Sequence, residues 1–110
     1  MNKSIVCAVV LTLFSCGASA KISSVQCKDK ALKEASKLLA FYSEGDDRAT
    51  IDDKVTPLAQ IKNPQNNKQI FDVLEIWGYI FKGKYRIRII YASNLDCALM
   101  GEEILEYADL

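Results

Sequence analysis

Histidine is absent from the 110-residue chain. That absence removes the Ser-His-Asp triad, the Cys-His dyad and every imidazole metal ligand. Net charge is missing too, since 14 basic side chains are balanced by 14 acidic ones. A nucleic-acid binder carries a basic excess or a basic stripe, so nucleic acid is not an expected partner. The sequence holds no glycine-rich phosphate loop, no G-x-S-x-G and no C-x-x-C, and serines without a histidine are poor nucleophiles. The expectation is a non-enzyme with no catalytic residue, no cofactor and no metal. What is present is a chain that is 50% hydrophobic, too apolar for a disordered tail and of a length suited to one domain.

The first twenty residues read as a segment to be removed. Lys3 supplies a positive charge, residues 5–14 are almost wholly apolar, and Ala18, Ser19 and Ala20 place small residues at a cleavage site. This is the pattern of a secretory signal peptide cleaved after Ala20. The apolar run is shorter than the roughly 20 residues a bilayer span needs, so no stable membrane span is expected after cleavage. A lipoprotein is the alternative, because Leu13-Phe14-Ser15-Cys16 resembles a lipobox that would acylate Cys16, although Phe14 is bulky for that motif. Residues 21–110 then form a single domain that is periplasmic or secreted. Losing Lys3 leaves 13 basic against 14 acidic groups, a net charge of −1.

Cys7 and Cys16 leave with the signal, and Cys27 and Cys97 remain. An even pair in an exported protein is most simply a disulfide. It would close a loop of about 70 residues, which chain entropy values at about 4.4 kcal/mol. A domain this small buries only about 60 to 65% of its unfolded surface, so the bridge would supply much of its stability.

After Cys27, Ala31, Leu32, Ala35, Leu38, Leu39 and Tyr42 recur at helical intervals, with Lys28, Lys30, Lys33, Glu34 and Lys37 on the other side. This predicts an amphipathic helix of about four turns, with Asp29–Lys33 and Lys30–Glu34 as supporting pairs and Gly45 as the C′ stop. The aspartates 46, 47, 52 and 53 do not fit an EF-hand, because Ile51 and Pro57 occupy the positions of the required glycine and glutamate. Residues 46–54 are therefore read as a solvated acidic loop.

Beyond it the period changes to that of strands. Residues 55–61 predict a short strand, 62–69 a polar loop, 70–81 a long apolar strand, and Lys82-Gly83-Lys84 a hairpin turn. The next thirteen residues, 85–97, alternate: Tyr85, Ile87, Ile89, Tyr91, Ser93, Leu95 and Cys97 on one face, and mostly polar residues, Arg86, Arg88, Ala92, Asn94 and Asp96, on the other. Residues 98–101 are expected to turn and 103–107 to form a last strand; the alternative is a C-terminal helix on Cys97, Met100, Ile104 and Ala108. The fold class is α+β, one N-terminal helix packed on a four-stranded antiparallel β-meander with one disulfide.

Strand 70–81 is apolar on both faces, with Ile70, Leu74, Ile76 and Ile80 on one and Phe71, Val73, Trp77, Tyr79 and Phe81 on the other. One helix covers one side of a sheet. The second side is either a buried core, with Trp77 inside it, or a binding surface with Trp77 as anchor. The candidate partner-binding residues are Trp77, Tyr79, Phe81, Arg86 and Arg88. The occupant is expected to be a protein, a toxin or a hydrolase, or a second copy in a homodimer. Glu102, Glu103 and Glu106 cluster near the end, but nothing in the sequence sets a second carboxylate opposite them at glycosidase separation.

Cys27 with the helix that follows, the Gly83 hairpin, residues 91–97 and the tail Glu102-Glu103-Ile104-Leu105-Glu106-Tyr107-Ala108-Asp109 resemble the small cystatin-like exported proteins of Gram-negative bacteria, the YebF-like and colicin M immunity-like groups. The resemblance follows the order of elements over most of residues 21–110. It implies an exported non-enzyme whose disulfide-stapled sheet binds another protein, as an inhibitor or immunity protein does. A self-associating structural or carrier protein of the envelope is the alternative.

Overall fold

Leucine and alanine at helical spacing fold as expected. In the computed structural model, which describes residues 21–92 and 94–109, helix α1 spans Lys28–Tyr42. The expected export segment, with Cys7 and Cys16, lies outside the described residues. Ala31, Ala35 and Leu39 are buried; spaced four apart, they form one stripe along the helix. Neither expected i,i+4 charge pair closes: the ion pairs among the described residues join Arg48 to Asp46 and Arg88 to Glu75 and Glu103. At the C-terminal end the Ser43 N–H donates to the Leu39 carbonyl and the Gly45 N–H to that of Ala40, each at 2.9 Å. The stop expected at Gly45 is shared, since Glu44 (φ 57°) and Gly45 (φ 79°) are both left-handed. Beyond it, side-chain and backbone hydrogen bonds from Arg48 hold the Asp46 carboxyl down to about 2.

Among the described residues the sheet has six strands, all pairings antiparallel: β1 (Ala49–Ile51), β2 (Thr56–Pro57), β3 (Ile61–Asn63), β4 (Asn66–Ile80), β5 (Gly83–Ala92) and β6 (Ala98–Asp109). This corrects the four-stranded meander. Strand β4 pairs with β5 along one edge, and β1, β2 and β3 line its other edge in succession. The chain from 49 to 63 cannot run as one strand because Asp52-Asp53 and Pro57 interrupt it; proline has no N–H to give a ladder. The acidic loop expected over 46–54 therefore contains β1, and the Asp52 N–H still donates to the Trp77 carbonyl at 2.8 Å. The strand expected over 55–61 divides into β2 and the start of β3.

Two further boundaries differ. Residues 62–69 form a hairpin rather than a loop, with Asn63 Oδ1 accepting the Gln65 N–H at 2.9 Å; the polar composition conceals an edge hairpin that faces solvent. Strand β5 ends at Ala92 instead of Cys97. Asp96 and Cys97 have φ of 49° and 58°, and the Ala98 N–H donates to the Leu95 carbonyl at 3.1 Å, so the chain reverses there. Residues 98–101, expected to turn, are already in β6, and the alternative of a C-terminal helix is excluded.

The core lies between α1 and β4–β5. Leu74 and Ile76 from β4, with Tyr85, Ile87, Ile89 and Tyr91 from β5, meet the Ala31, Ala35 and Leu39 stripe. The small alanines permit close approach, and Gly78 permits more: a Cβ there would lie 3.0 Å from Leu39 Cδ2 and 3.2 Å from Ile87 Cδ1. Gly78→Ala is expected to destabilise by about 1 kcal/mol through overpacking, read as a lower urea midpoint at unchanged m. Before the helix, Ser23 and Ser24 dock on β4: Ser23 Oγ accepts the Val73 N–H at 2.7 Å, and the buried Asp72 Oδ1 accepts the Ser24 N–H at 3.0 Å and Gln60 Nε2 at 2.9 Å. Cys27 and Cys97 are bridged, Cα to Cα 5.7 Å, tying the start of α1 to the turn that enters β6.

Candidate binding face

Alternation along β4 sends Leu74, Ile76 and Gly78 towards α1 and Val73, Glu75, Trp77 and Tyr79 to the opposite side. Among the described residues no second layer covers that side. Trp77 is therefore half-buried within its own sheet face and not enclosed in a two-sided core.

Register decides its neighbours. Across β4 and β5, Glu75 pairs with Arg88, Trp77 with Arg86 and Tyr79 with Lys84. Across β5 and β6, Arg86 pairs with Leu105 and Arg88 with Glu103, while an irregularity at Lys84/Tyr85 leaves Tyr107 without a paired residue. Tyr107 there meets Trp77 edge-on, with ring centroids 5.0 Å apart and planes at 74°. The Lys84 ammonium sits 4.4 Å from the Trp77 centroid and 5.7 Å from that of Tyr107. Three strands thus build one cationic and aromatic cluster; such contacts are worth about 0.5 to 1 kcal/mol each at exposed sites.

The two arginines are not equivalent. Arg88 Nε is 3.1 Å from Glu75 Oε2 and its Nη1 is 3.8 Å from Glu103 Oε1, so its charge is met within the sheet. Arg86 has no carboxylate within ion-pairing distance among the described residues. Its planar guanidinium is free to take a carboxylate in a bidentate bond.

Of the residues singled out from the sequence, Trp77, Tyr79, Arg86 and Arg88 share this face. Phe81 does not: it leaves the strand at φ 55°, in the turn, and stands 67% exposed with Arg48 and Lys82 near its ring at 5.0 and 5.5 Å. Lys84, Leu105 and Tyr107 were not foreseen. Lys84 reads as a turn residue, and Tyr107 reaches Trp77 only because β6 lies beside β5, which is a fact of topology.

The three glutamates of β6 divide between the faces. Glu103 lies with Arg88; Glu106 accepts from the Tyr85 hydroxyl at 3.3 Å. Glu102 meets Glu34 of α1, and burial, with the charge and hydrogen bond of Glu34, raises its carboxyl above the ordinary range while Lys37 opposes the rise. Burial also pushes the nearby Tyr91 up to about 12. A raised folded-state carboxyl makes a contribution to stability that is present at low pH and lost as pH rises through the folded value. Glu102→Gln is expected to abolish that loss, so the variant gains on the parent between pH below 4.5 and neutrality, measured by urea midpoints. Among the described residues no group of three or more His, Cys, Asp or Glu side chains could hold a metal ion, and no helix is long and apolar enough to cross a membrane.

Shallow depressions lie away from the Trp77 face, one of about 240 Å³ between α1 and β1 and one of about 290 Å³ between α1 and Leu99. The chemistry the face offers is adhesion: aromatic area, with the Lys84 and Arg86 cations, on a hydrogen-bonded frame of three strands. Comparison of the chain with protein-family models, with curated proteins and with solved structures finds no match.

Proposed function

We propose that the protein is an exported, non-enzymatic binder that uses the uncovered face of its sheet to hold another protein, in the manner of an inhibitor or immunity protein directed at a toxin or hydrolase. The observation that carries this reading is the Trp77–Lys84–Tyr107 cluster beside the unpaired Arg86. Aromatic residues and arginine are the side chains that anchor interfaces, and here they stand on three hydrogen-bonded strands that lose little entropy on binding. Export and periplasmic or extracellular destination rest on the pattern of residues 1–20, and the Cys27–Cys97 bridge is in keeping with an oxidising compartment. The kinship proposed is with the cystatin-like exported proteins, on the order of helix, long hairpin and last strand, with a bridge from the start of the helix to the turn before that strand.

A homodimer on the same face is disfavoured by charge. Near a two-fold axis the Lys84 and Arg86 of one copy would meet those of the other. Sedimentation of the purified chain, followed by its use as bait in envelope extract, tests both readings. A monomer that captures one defined protein, and releases it to free bait, is expected; a concentration-dependent dimer that captures nothing contradicts the proposal.

A further inference from the structure

Strand β6 is the longest edge of the sheet among the described residues, twelve residues against two or three in each of β1, β2 and β3 on the opposite edge. The outer edge of β4 is broken up by three short strands, with residues 21–24 beside the middle of them, whereas β6 pairs only with β5 and offers one continuous edge among the described residues. Its pairing with β5 is irregular at both ends, where Met100 and Tyr107 fall between paired positions, and continuous between them, from Gly101 to Glu106. That window presents a row of backbone donors and acceptors without a neighbour strand, the template for addition of another strand. Three of its six residues are glutamates, Asp109 follows, and β6 contains no lysine or arginine.

Charge selects the occupant. Antiparallel pairing of two copies through this window would crowd both sets of glutamates along one short ladder with no basic side chain on either strand, and like charges across a ladder destabilise it. A strand bearing lysine or arginine meets the opposite condition at Glu102 and Glu106, which share one face of β6, while Glu103 on the other face is met by Arg88. We infer that the 101–106 edge of β6 accepts an extended, lysine- or arginine-bearing segment of a different protein by antiparallel strand addition. This rests on the reading of the chain as a binder of another protein but uses the backbone edge of β6 instead of the Trp77 face, to which Glu103 and Leu105 also belong.

The test uses the intact chain with its bridge oxidised and a synthetic peptide of about ten residues, a long strand's length, alternating lysine and threonine. Its glutamate–threonine counterpart and a backbone N-methylated copy, which cannot complete a ladder, are the controls. The lysine peptide should slow hydrogen exchange at alternate amides within 101–106 and bind roughly tenfold more tightly than either control. Glu102→Lys with Glu106→Lys should transfer the preference to the glutamate peptide, and Trp77→Ala should bind the lysine peptide as the parent does, which separates failure of the edge from failure of the face. Equal binding of the N-methylated copy, protection confined to other strands, or dimerisation of the chain through 101–106 would each overturn the inference.

Discussion

Removal of the Cys27–Cys97 bridge is expected to lower the unfolding free energy by about 4 kcal/mol, the value that chain entropy assigns to a closure of this length. The two cysteines are 70 residues apart, so the bridge constrains most of the described chain in its unfolded state. Few other features join the same parts. Strand β6 has β5 as its main neighbour, and the bridge fixes the turn before β6 to the first residue ahead of α1. Cys27 is buried beside Ala31, so Cys27→Ala with Cys97→Ala is the cleaner variant, since serine would bury a hydroxyl. For a domain of this size the melting temperature should fall by roughly 20 °C. Reduction of the parent by dithiothreitol should reproduce the double variant; a fall of under about 1 kcal/mol would mean that the unfolded chain is already constrained by other means.

Trp77→Ala is expected to weaken capture of the protein partner by roughly 30-fold or more, the loss of about 2 kcal/mol typical of an interface anchor. The truncation removes the edge-on contact with Tyr107 and the cation of Lys84 over the ring. Its removal leaves the α1 side of β4 untouched, where Leu74 and Ile76 are fully buried. Stability should therefore fall by only about 1 kcal/mol, and the variant remains folded for the binding measurement. Arg86→Gln, which keeps a polar hydrogen-bonding group without the charge, should weaken capture with a smaller salt dependence left behind. A folded Trp77→Ala that binds undiminished removes Trp77 as anchor.

These expectations rest on parts of the fold that differ in how plainly the residues announce them. The helix was legible because Ala31, Ala35 and Leu39 repeat every four residues and charged residues flank them. The buried face of β5 was legible for the same kind of reason, with Tyr85, Ile87, Ile89 and Tyr91 at period two. The bridge was legible as the one pair of cysteines left once residues 1–20 are read as a leader. What local pattern could not show was how many pieces would line β4: Thr56 and Pro57 form a two-residue strand, too short to have a period. The end of β5 was hidden as well, because Leu95 and Cys97 keep the alternation while left-handed backbone at Asp96 and Cys97 ends the strand. The candidate face was half visible. Trp77 and Tyr79 stood out as apolar residues on the wrong side of a one-helix sheet, but Tyr107 joins them across two ladders, and Phe81 departs because the strand ends one residue before it.

The most direct test of a binding role for this face is a photo-cross-linking pair in living cells, with p-benzoylphenylalanine replacing Tyr79 in one strain and Lys30, on the outward side of α1, in another. Tyr79 is aromatic already and lies beside Trp77 without belonging to its ring cluster, so the probe samples the face while sparing the anchor. The expected result is one adduct of defined mass at position 79, lost on adding Trp77→Ala, with none at position 30. An adduct at position 30 alone, or a product at 79 of twice the chain's own mass, would contradict a heterologous partner on the open sheet.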